Sequence, residues 1–333
     1  MRIAVIGAGV VGLAATAALL ERRVEVQCYE RAAAPMGERS AGDSRIFRAA
    51  HLRPELVQIA LAANAGFRRW EKEVGAGIVN RSGCVISGAR LDQWRSAMME
   101  AGASHEIASG SSGRVRLPLA AAPGRVLIDP LGGVIDVDMV RAYLVRRCES
   151  ALVHGAVDSL LIHESDVTVS VGAESSVFDF AVIAAGRGNS ALAAQVDIDV
   201  PAELSHHVRF SFPVAPGMWQ CWIDEPMSEL STYQHASGPG TWAVGGYVDP
   251  TLTAWEVGRA AAIDASRDVI MDYVRKKLTV QPKIVDSLYC TITPDLGAGI
   301  HIGRNGPVLA VFGEGLFKFA PVLGDMIAAQ LDM

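Results

Sequence analysis

Little in this sequence points to metal, disulfide or nucleic-acid chemistry. Its 333 residues include five cysteines, Cys28, Cys84, Cys148, Cys221 and Cys290, spaced too widely for a compact metal motif or a small disulfide framework. Reduced thiols in a cytoplasmic setting, and no bound metal, are the expectation. Neither sign of charge dominates. The 30 basic and 36 acidic residues leave a formal net charge of −6, which gives no electrostatic reason to expect nucleic acid or an anionic membrane surface as a partner. Short basic pairs such as Arg22 and Arg23 read as solvated faces. Internal repeats and low-complexity tracts are missing too.

Long uncharged runs are scarce. One, Ile3 to Leu20, follows Arg2 and is long enough to raise a secretory or membrane reading. Three regularly placed glycines interrupt it, and the alternating run "VEVQCYE" comes next, which fits a strand, turn, helix and strand better than a membrane span. No membrane partner is expected.

What is present is an ordered set of elements. Arg2 to Ile6 reads as a buried strand, Val10 to about Arg22 as a helix, and Val24 to Tyr29 as the next strand of a parallel sheet. The same pattern resumes with a helix from Met139, a strand "VFDFAVIAAG" over Val177 to Gly186, and a strand "PVLAVFGEG" over Pro307 to Gly315 before a helix near Lys318. Between these stretches "HHVRFSFPV", His206 to Val214, alternates with period two. Ser231 to Val248 reads as two strands around a Ser-Gly-Pro-Gly turn. A long helix is predicted from Trp255 to Leu278. The fold class is therefore α/β with an α+β second domain: a Rossmann-like domain assembled from separated stretches, and a mostly antiparallel sheet.

The turn "GAGVVG" sits between the first strand and the first helix. Gly7 permits the tight turn, Gly9 lets backbone amides approach a pyrophosphate, and Gly12 lets helix and strand pack closely. Val10 and Val11 open the helix, whose free amides stabilise phosphate charge. Glu30 ends the second strand, where its carboxylate can accept hydrogen bonds from adenosine ribose hydroxyls and disfavours a 2′-phosphate. These residues do not separate FAD from NAD.

Further motifs carry a resemblance. "GERSAGDSRIFRAAH" (Gly37 to His51) is followed by the helical "LVQIALAANAGFRRWEKEVG". Then come "IDPLGGVIDVDMVRAYL", "YCTITPD" (Tyr289 to Asp295) and "AVFGEGLFKFAPVLGD" (Ala310 to Asp325). In this order they resemble the FAD-dependent amine and amino-acid oxidoreductases of the D-amino-acid oxidase superfamily, nearest the monomeric sarcosine oxidase and N-methyltryptophan oxidase branch. The resemblance implies an FAD-binding domain over residues 1–75, 138–195 and 285–333, and a substrate-binding domain over 76–137 and 196–284. It also implies a flavin ring at their interface beneath the antiparallel sheet. It assigns Arg31, Asp43, Ser44, Val157, Gly186, Gly313, Gly315, Leu316, Phe317 and Lys318 to the FAD, along with the glycine turn and Glu30.

The same resemblance implies removal of a hydride equivalent from a carbon bearing nitrogen, with the imine hydrolysing in water. The substrate is a small carboxylated amine whose carboxylate is held by Arg48 and Lys318. Arg45 lies against the flavin and favours its anionic reduced form. His51 and Tyr247 stand at positions where the branch has a tyrosine and a histidine, and His51 is the best candidate proton relay among the histidines. Tyr233, Trp242 and Arg209 join them as lining candidates. Several departures matter. Leu288 stands where the branch has its flavin-linking cysteine, so FAD is expected to be non-covalent, with Cys290 pointing differently. Ala243 replaces a lysine associated with oxygen activation, which favours another electron acceptor while leaving oxygen open. Glu314 replaces a histidine, and Leu316 a glycine. A flavin-dependent 2-hydroxy-acid oxidase or dehydrogenase, and a non-enzymatic FAD-binding protein, are the alternatives.

Overall fold

The computed structural model describes residues 1–294 and 296–331; Asp295, in the "YCTITPD" motif, lies outside them. The chain forms two compact units, Met1–Ala41 with Asp138–Glu203 and Thr293–Met333, and Gly42–Val137 with Leu204–Ile292. This division differs from the expected boundaries in three places: the first unit runs on to Glu203 rather than to residue 195, and strand pairing moves the other two boundaries. Ser44–Phe47 pairs antiparallel with Gly133–Asp136, and Phe47 meets Phe67 edge-on at 5.8 Å, which carries the helix Pro54–Val74 into the second unit. Asp286–Ile292 pairs along its length with Ser205–Pro213 and belongs there as well.

In the first unit the strand Arg2–Ile6 lies inside a six-stranded sheet, parallel to both Glu25–Glu30 and Phe180–Ile183. Both faces are covered, so the strand is an uninterrupted apolar run. Ala4 and Ile6 join a core with Leu160, Val169, Phe178 and Leu192, while Val5 faces the helix Val10–Glu21. That helix packs closely on Ala320–Ala329 because Gly324 has no side chain; a Cβ there would lie 2.3 Å from the Ala14 carbonyl oxygen. The expected single strand over Val177 to Gly186 is two. Glu174–Phe178 ends an antiparallel three-stranded sheet and Phe180–Ile183 enters the parallel one. The chain changes sheets at Asp179, which exchanges backbone and carboxylate hydrogen bonds with Arg2.

The second unit is built on an eight-stranded, mostly antiparallel sheet. Along Ser205–Pro213 the alternation is real, but both faces are buried. Val208, Phe210 and Phe212 pack with Trp222, Trp242, Val244, Ile270 and Val274, the last two from the helix Arg259–Lys277. His207, Arg209 and Ser211 point the other way. No helix among the described residues is long and apolar enough to cross a membrane.

Candidate functional site

In the first unit the glycine turn is built as its spacing predicts. Gly7 has φ +103°, and a Cβ on it would lie 2.6 Å from the Ala184 carbonyl oxygen. A Cβ on Gly12 would lie 1.8 Å from the Gly7 oxygen. The helix therefore starts directly beneath the turn, with Val10 and Val11 in its first turn, where amides lack intrahelical acceptors. The Val10 amide donates to the hydroxyl of Ser40 at 3.0 Å. Ser40 was not singled out from sequence, although it lies within the "GERSAGDSRIFRAAH" stretch. Glu30 accepts from the Ala8 amide through one oxygen and from the Ala32 amide through the other, both at 2.8 Å. Each carboxylate oxygen has two lone pairs, so one on each is left for a ribose hydroxyl. A glycine-rich turn, a helix amino terminus and a carboxylate at the next strand's end together fit a dinucleotide.

The other residues assigned to the cofactor in this unit are spread around the sheet ends. Arg31 is paired with Glu38, which also takes Arg187. Val157 packs beside the core cluster. Gly186, at φ +58°, opens the turn after Phe180–Ile183. At the end of Val308–Phe312, Gly313 could not carry a side chain, since a Cβ would lie 2.1 Å from the Gly299 carbonyl oxygen. Glu314 accepts from the Thr293 amide and from Arg39, so it ties two loops together. After Gly315, at φ +67°, come Leu316, Phe317 and Lys318 in a short 3-10 turn. Lys318 is not turned to solvent: it is 7% exposed, with its ammonium 5.3 Å from the centre of the Phe319 ring.

In the second unit the polar sheet face gathers most of the remaining candidates. Arg209 lies across from Gly245 and Leu288, and His235 across from Ala243. The Ser44 hydroxyl is 3.0 Å from His235 Nε2. Arg209 Nη1 donates to the Ser44 carbonyl at 3.1 Å and to His235 Nε2 at 3.2 Å. Arg45 donates to the same Ser44 carbonyl at 2.9 Å. Burial and the neighbouring Arg209 pull the Arg45 guanidinium down to about 10. Burial, reinforced by Arg209 and Arg45, holds His235 well below the usual histidine range, so it is neutral. Asp43 is exposed; its carbonyl accepts from the Val137 amide, and its carboxylate acts on both arginines only through space. His207 Nε2 meets the Tyr233 hydroxyl at 2.7 Å, and its ring faces Tyr247 at 6.2 Å. Tyr247 is 64% exposed.

Arg48 occupies a separate part of this unit. Its guanidinium stacks over Trp94 at 4.7 Å, donates through Nη1 to the Ala50 carbonyl, and lies 3.5 Å from Nδ1 of the buried His51. Behind it the buried Asp129 accepts the Ala49 and Ala50 amides through one oxygen at 2.6 and 3.0 Å, and the Leu131 amide through the other. Burial pushes the Asp129 carboxyl above the ordinary carboxylate range, against the pull of these amides and of Arg48.

Strand parity corrects two expectations and explains one omission. Trp242 does not line the polar face: it is fully buried on the apolar face and donates to Gln234 at 2.8 Å. Cys290 does not point away from the Leu288 side, because residues two apart on a strand share a face. It lies across from His207 as Leu288 lies across from Arg209, and Leu288 itself packs against Gly42 beside Arg45. His235 was missed. Its signal was the period-two pattern of Thr232–Gly238, which puts it on the same face as Tyr233.

A doubly covered parallel sheet with this glycine turn and carboxylate defines a dinucleotide-binding α/β protein. A family model for FAD dependent oxidoreductases matches residues 2–330, and the chain belongs to that family. It is 26% identical over 212 residues to a monomeric sarcosine oxidase of Bacillus sp. (strain B-0618), covering 60% of this chain and 54% of that protein. The matched segment thus spans about half the length of this curated relative. Among solved structures, NikD, described as an unusual amino acid oxidase essential for nikkomycin biosynthesis, superposes with a TM-score of 0.84 at 19% identity, covering 99% of this chain and 93% of that one. L-proline dehydrogenase from P. horikoshii gives 0.78 at 16% identity, with 99% and 92% covered. Glycine oxidase from Geobacillus kaustophilus gives 0.75 at 15%, with 99% and 95% covered. At these identities the structures speak to the fold.

Proposed function

We propose that this FAD-dependent oxidoreductase oxidises the C–N bond of an amino acid or small carboxylated amine, secondary amines included. Arg48 carries the reading. It is a fixed guanidinium stacked on Trp94, and it has no ion-pair partner among the described residues; Asp129 and Glu225 act on it only through space. An open guanidinium fork of this kind suits a carboxylate. Asp129 fixes it from behind by pinning the Ala49–Ala50 backbone whose carbonyl Arg48 grips.

In this reading Arg48 supplies a two-point grip on the carboxylate and Lys318 a point charge, which orients the neighbouring C–H for oxidation. Bound FAD supplies the two-electron acceptor. Tyr247, whose phenol acts electrostatically on Arg48, and His51 border the carboxylate end, and His51 moves the amine proton. Arg45 favours negative charge on the reduced ring. FAD is held without a covalent link because leucine at position 288 cannot form a thioether. Ala243 offers no charge to developing oxygen anions, which favours an acceptor other than oxygen. The likeness to monomeric sarcosine oxidase supports including secondary amines. A cytoplasmic setting with reduced thiols accompanies the reading.

The test is anaerobic bleaching of the flavin by matched sets of amino acids, secondary amines, 2-hydroxy acids and decarboxylated amines, followed by admission of oxygen. Carboxylated amines are expected to bleach it, and their hydroxy and decarboxylated counterparts are not. Bleaching by hydroxy acids alone would overturn the C–N assignment, and slow reoxidation in oxygen would support another acceptor.

A further inference from the structure

The second unit contains another arginine with no carboxylate partner, and Arg48 does not account for it. Arg209 is 7% exposed. All its hydrogen bonds go to uncharged groups: the Ser44 carbonyl, the Ser44 hydroxyl at 3.5 Å and His235 Nε2. Asp286 and Asp43 reach it only through space. Because Arg209 can only donate, Nε2 of the ring is the acceptor and the Ser44 hydroxyl donates to it too. The proton of the neutral ring is therefore on Nδ1. Both His235 Nδ1 and Arg209 Nε are buried with no hydrogen-bond partner. A buried cation and two unused donors are costly to keep unless something negative completes them.

We propose that Arg209, with His235 and Ser44, forms a second anion-receiving subsite that accepts a negative charge other than the carboxylate held by Arg48. The inference rests on the reading of Arg48 given above. Two sources supply such a charge: a second carboxylate on the substrate, which would make the substrate a dicarboxylic amine, and the anionic ring of the reduced or adducted flavin. Both present oxygen or nitrogen acceptors to N–H donors, and they differ in what removal of Arg209 disturbs.

The experiment uses the FAD-loaded full chain, oxidised and without turnover, so its outcome does not depend on which amine is oxidised. Sulfite, which adds to flavin and leaves the ring negatively charged, is titrated by loss of the visible flavin band. Acetate and malonate are titrated by perturbation of the same band. Wild type is compared with Arg209→Met and Arg209→Lys. If the charge is on the ring, Arg209→Met weakens sulfite binding about ten-fold or more, the loss of one charge-assisted hydrogen bond, and Arg209→Lys restores most of it. If the charge is a second carboxylate, sulfite binding holds and the preference for malonate over acetate falls about ten-fold. Should Arg209→Met fail to accumulate as folded flavoprotein, Arg209→Gln takes its place. Unchanged sulfite and dicarboxylate binding in a folded, flavin-loaded Arg209→Met or Arg209→Gln variant overturns the proposal. Bleaching by no amine at all would instead count against the proposed activity.

Discussion

Replacing His235 by glutamine tests the electrostatics of the polar sheet face directly. Burial, Arg209 and Arg45 hold the His235 ring neutral in the folded protein, whereas an unfolded histidine titrates near 6.5. The folded pKa is depressed, so the unfolded chain takes up a proton that the folded chain refuses. The stability due to His235 is fully present above the unfolded pKa and is lost as pH falls below it, with a slope approaching about 1.4 kcal/mol per pH unit. Integrated from pH 7 to pH 5 the loss is at most about 2 kcal/mol, the limit reached when the folded ring stays neutral throughout. Glutamine cannot titrate, yet its side-chain oxygen still accepts from Ser44 and Arg209, so His235→Gln is expected to be within about 1 kcal/mol of wild type at pH 7. The assay is urea unfolding at pH 7, 6 and 5, with FAD in constant excess. Comparing the two proteins cancels the remaining histidines. Parallel stability profiles for wild type and His235→Gln would refute the claim that this ring is held neutral.

Two further outcomes follow from the site. Lys318→Met should raise KM for the carboxylated substrate about ten-fold, the loss of one charge-assisted contact, with the ratio of flavin to protein absorbance unchanged; unaltered kinetics would remove Lys318 from substrate binding. Acid precipitation of the wild-type protein should release all its flavin into the supernatant. Flavin retained in the pellet would contradict the non-covalent reading and direct attention to Cys290, which shares a strand face with Leu288.

The parts of the structure legible in sequence are those made by neighbours in the chain. The glycine turn and Glu30 fall within one strand, helix and strand, so their spacing fixed their geometry, including the Ala8 amide that Glu30 accepts. The polar cluster of the second unit joins residues far apart: Ser44 and Arg209 are separated by 165 positions and Ser44 and His235 by 191. Period-two alternation along Ser205–Pro213 announced a strand, but it could not say which side received the Ser44 loop, because every residue from Ser205 to Phe212 is buried. Trp242 was misassigned for that reason. Its size suggested a lining residue, and its parity put it against the helix Arg259–Lys277. The boundary near residue 75 failed for a related cause, since the four-residue strand Ser44–Phe47 commits a long helix to the second unit by pairing with Gly133–Asp136.

How the second unit treats its arginines separates support from chemistry. Arg81 pairs with Glu71, which also accepts the Ile78 and Val79 amides and so closes the turn after the helix Pro54–Val74. Arg90 pairs with Glu225, which also takes the indole N–H of Trp94. These are structural cations, each neutralised by a carboxylate beside it. Arg48 and Arg209 are buried to a similar or greater degree, yet carbonyls, a hydroxyl, an aromatic face and a neutral imidazole are what hold them. Neutral partners fix the position of a guanidinium without cancelling its charge, so its field stays available to a negative group that arrives later. A unit built for stability alone would gain from a glutamate or aspartate beside either one. Keeping both positions free of a paired carboxylate fits a unit to which negative charge comes from a ligand, at Arg48 and separately at the sheet face that carries Arg209.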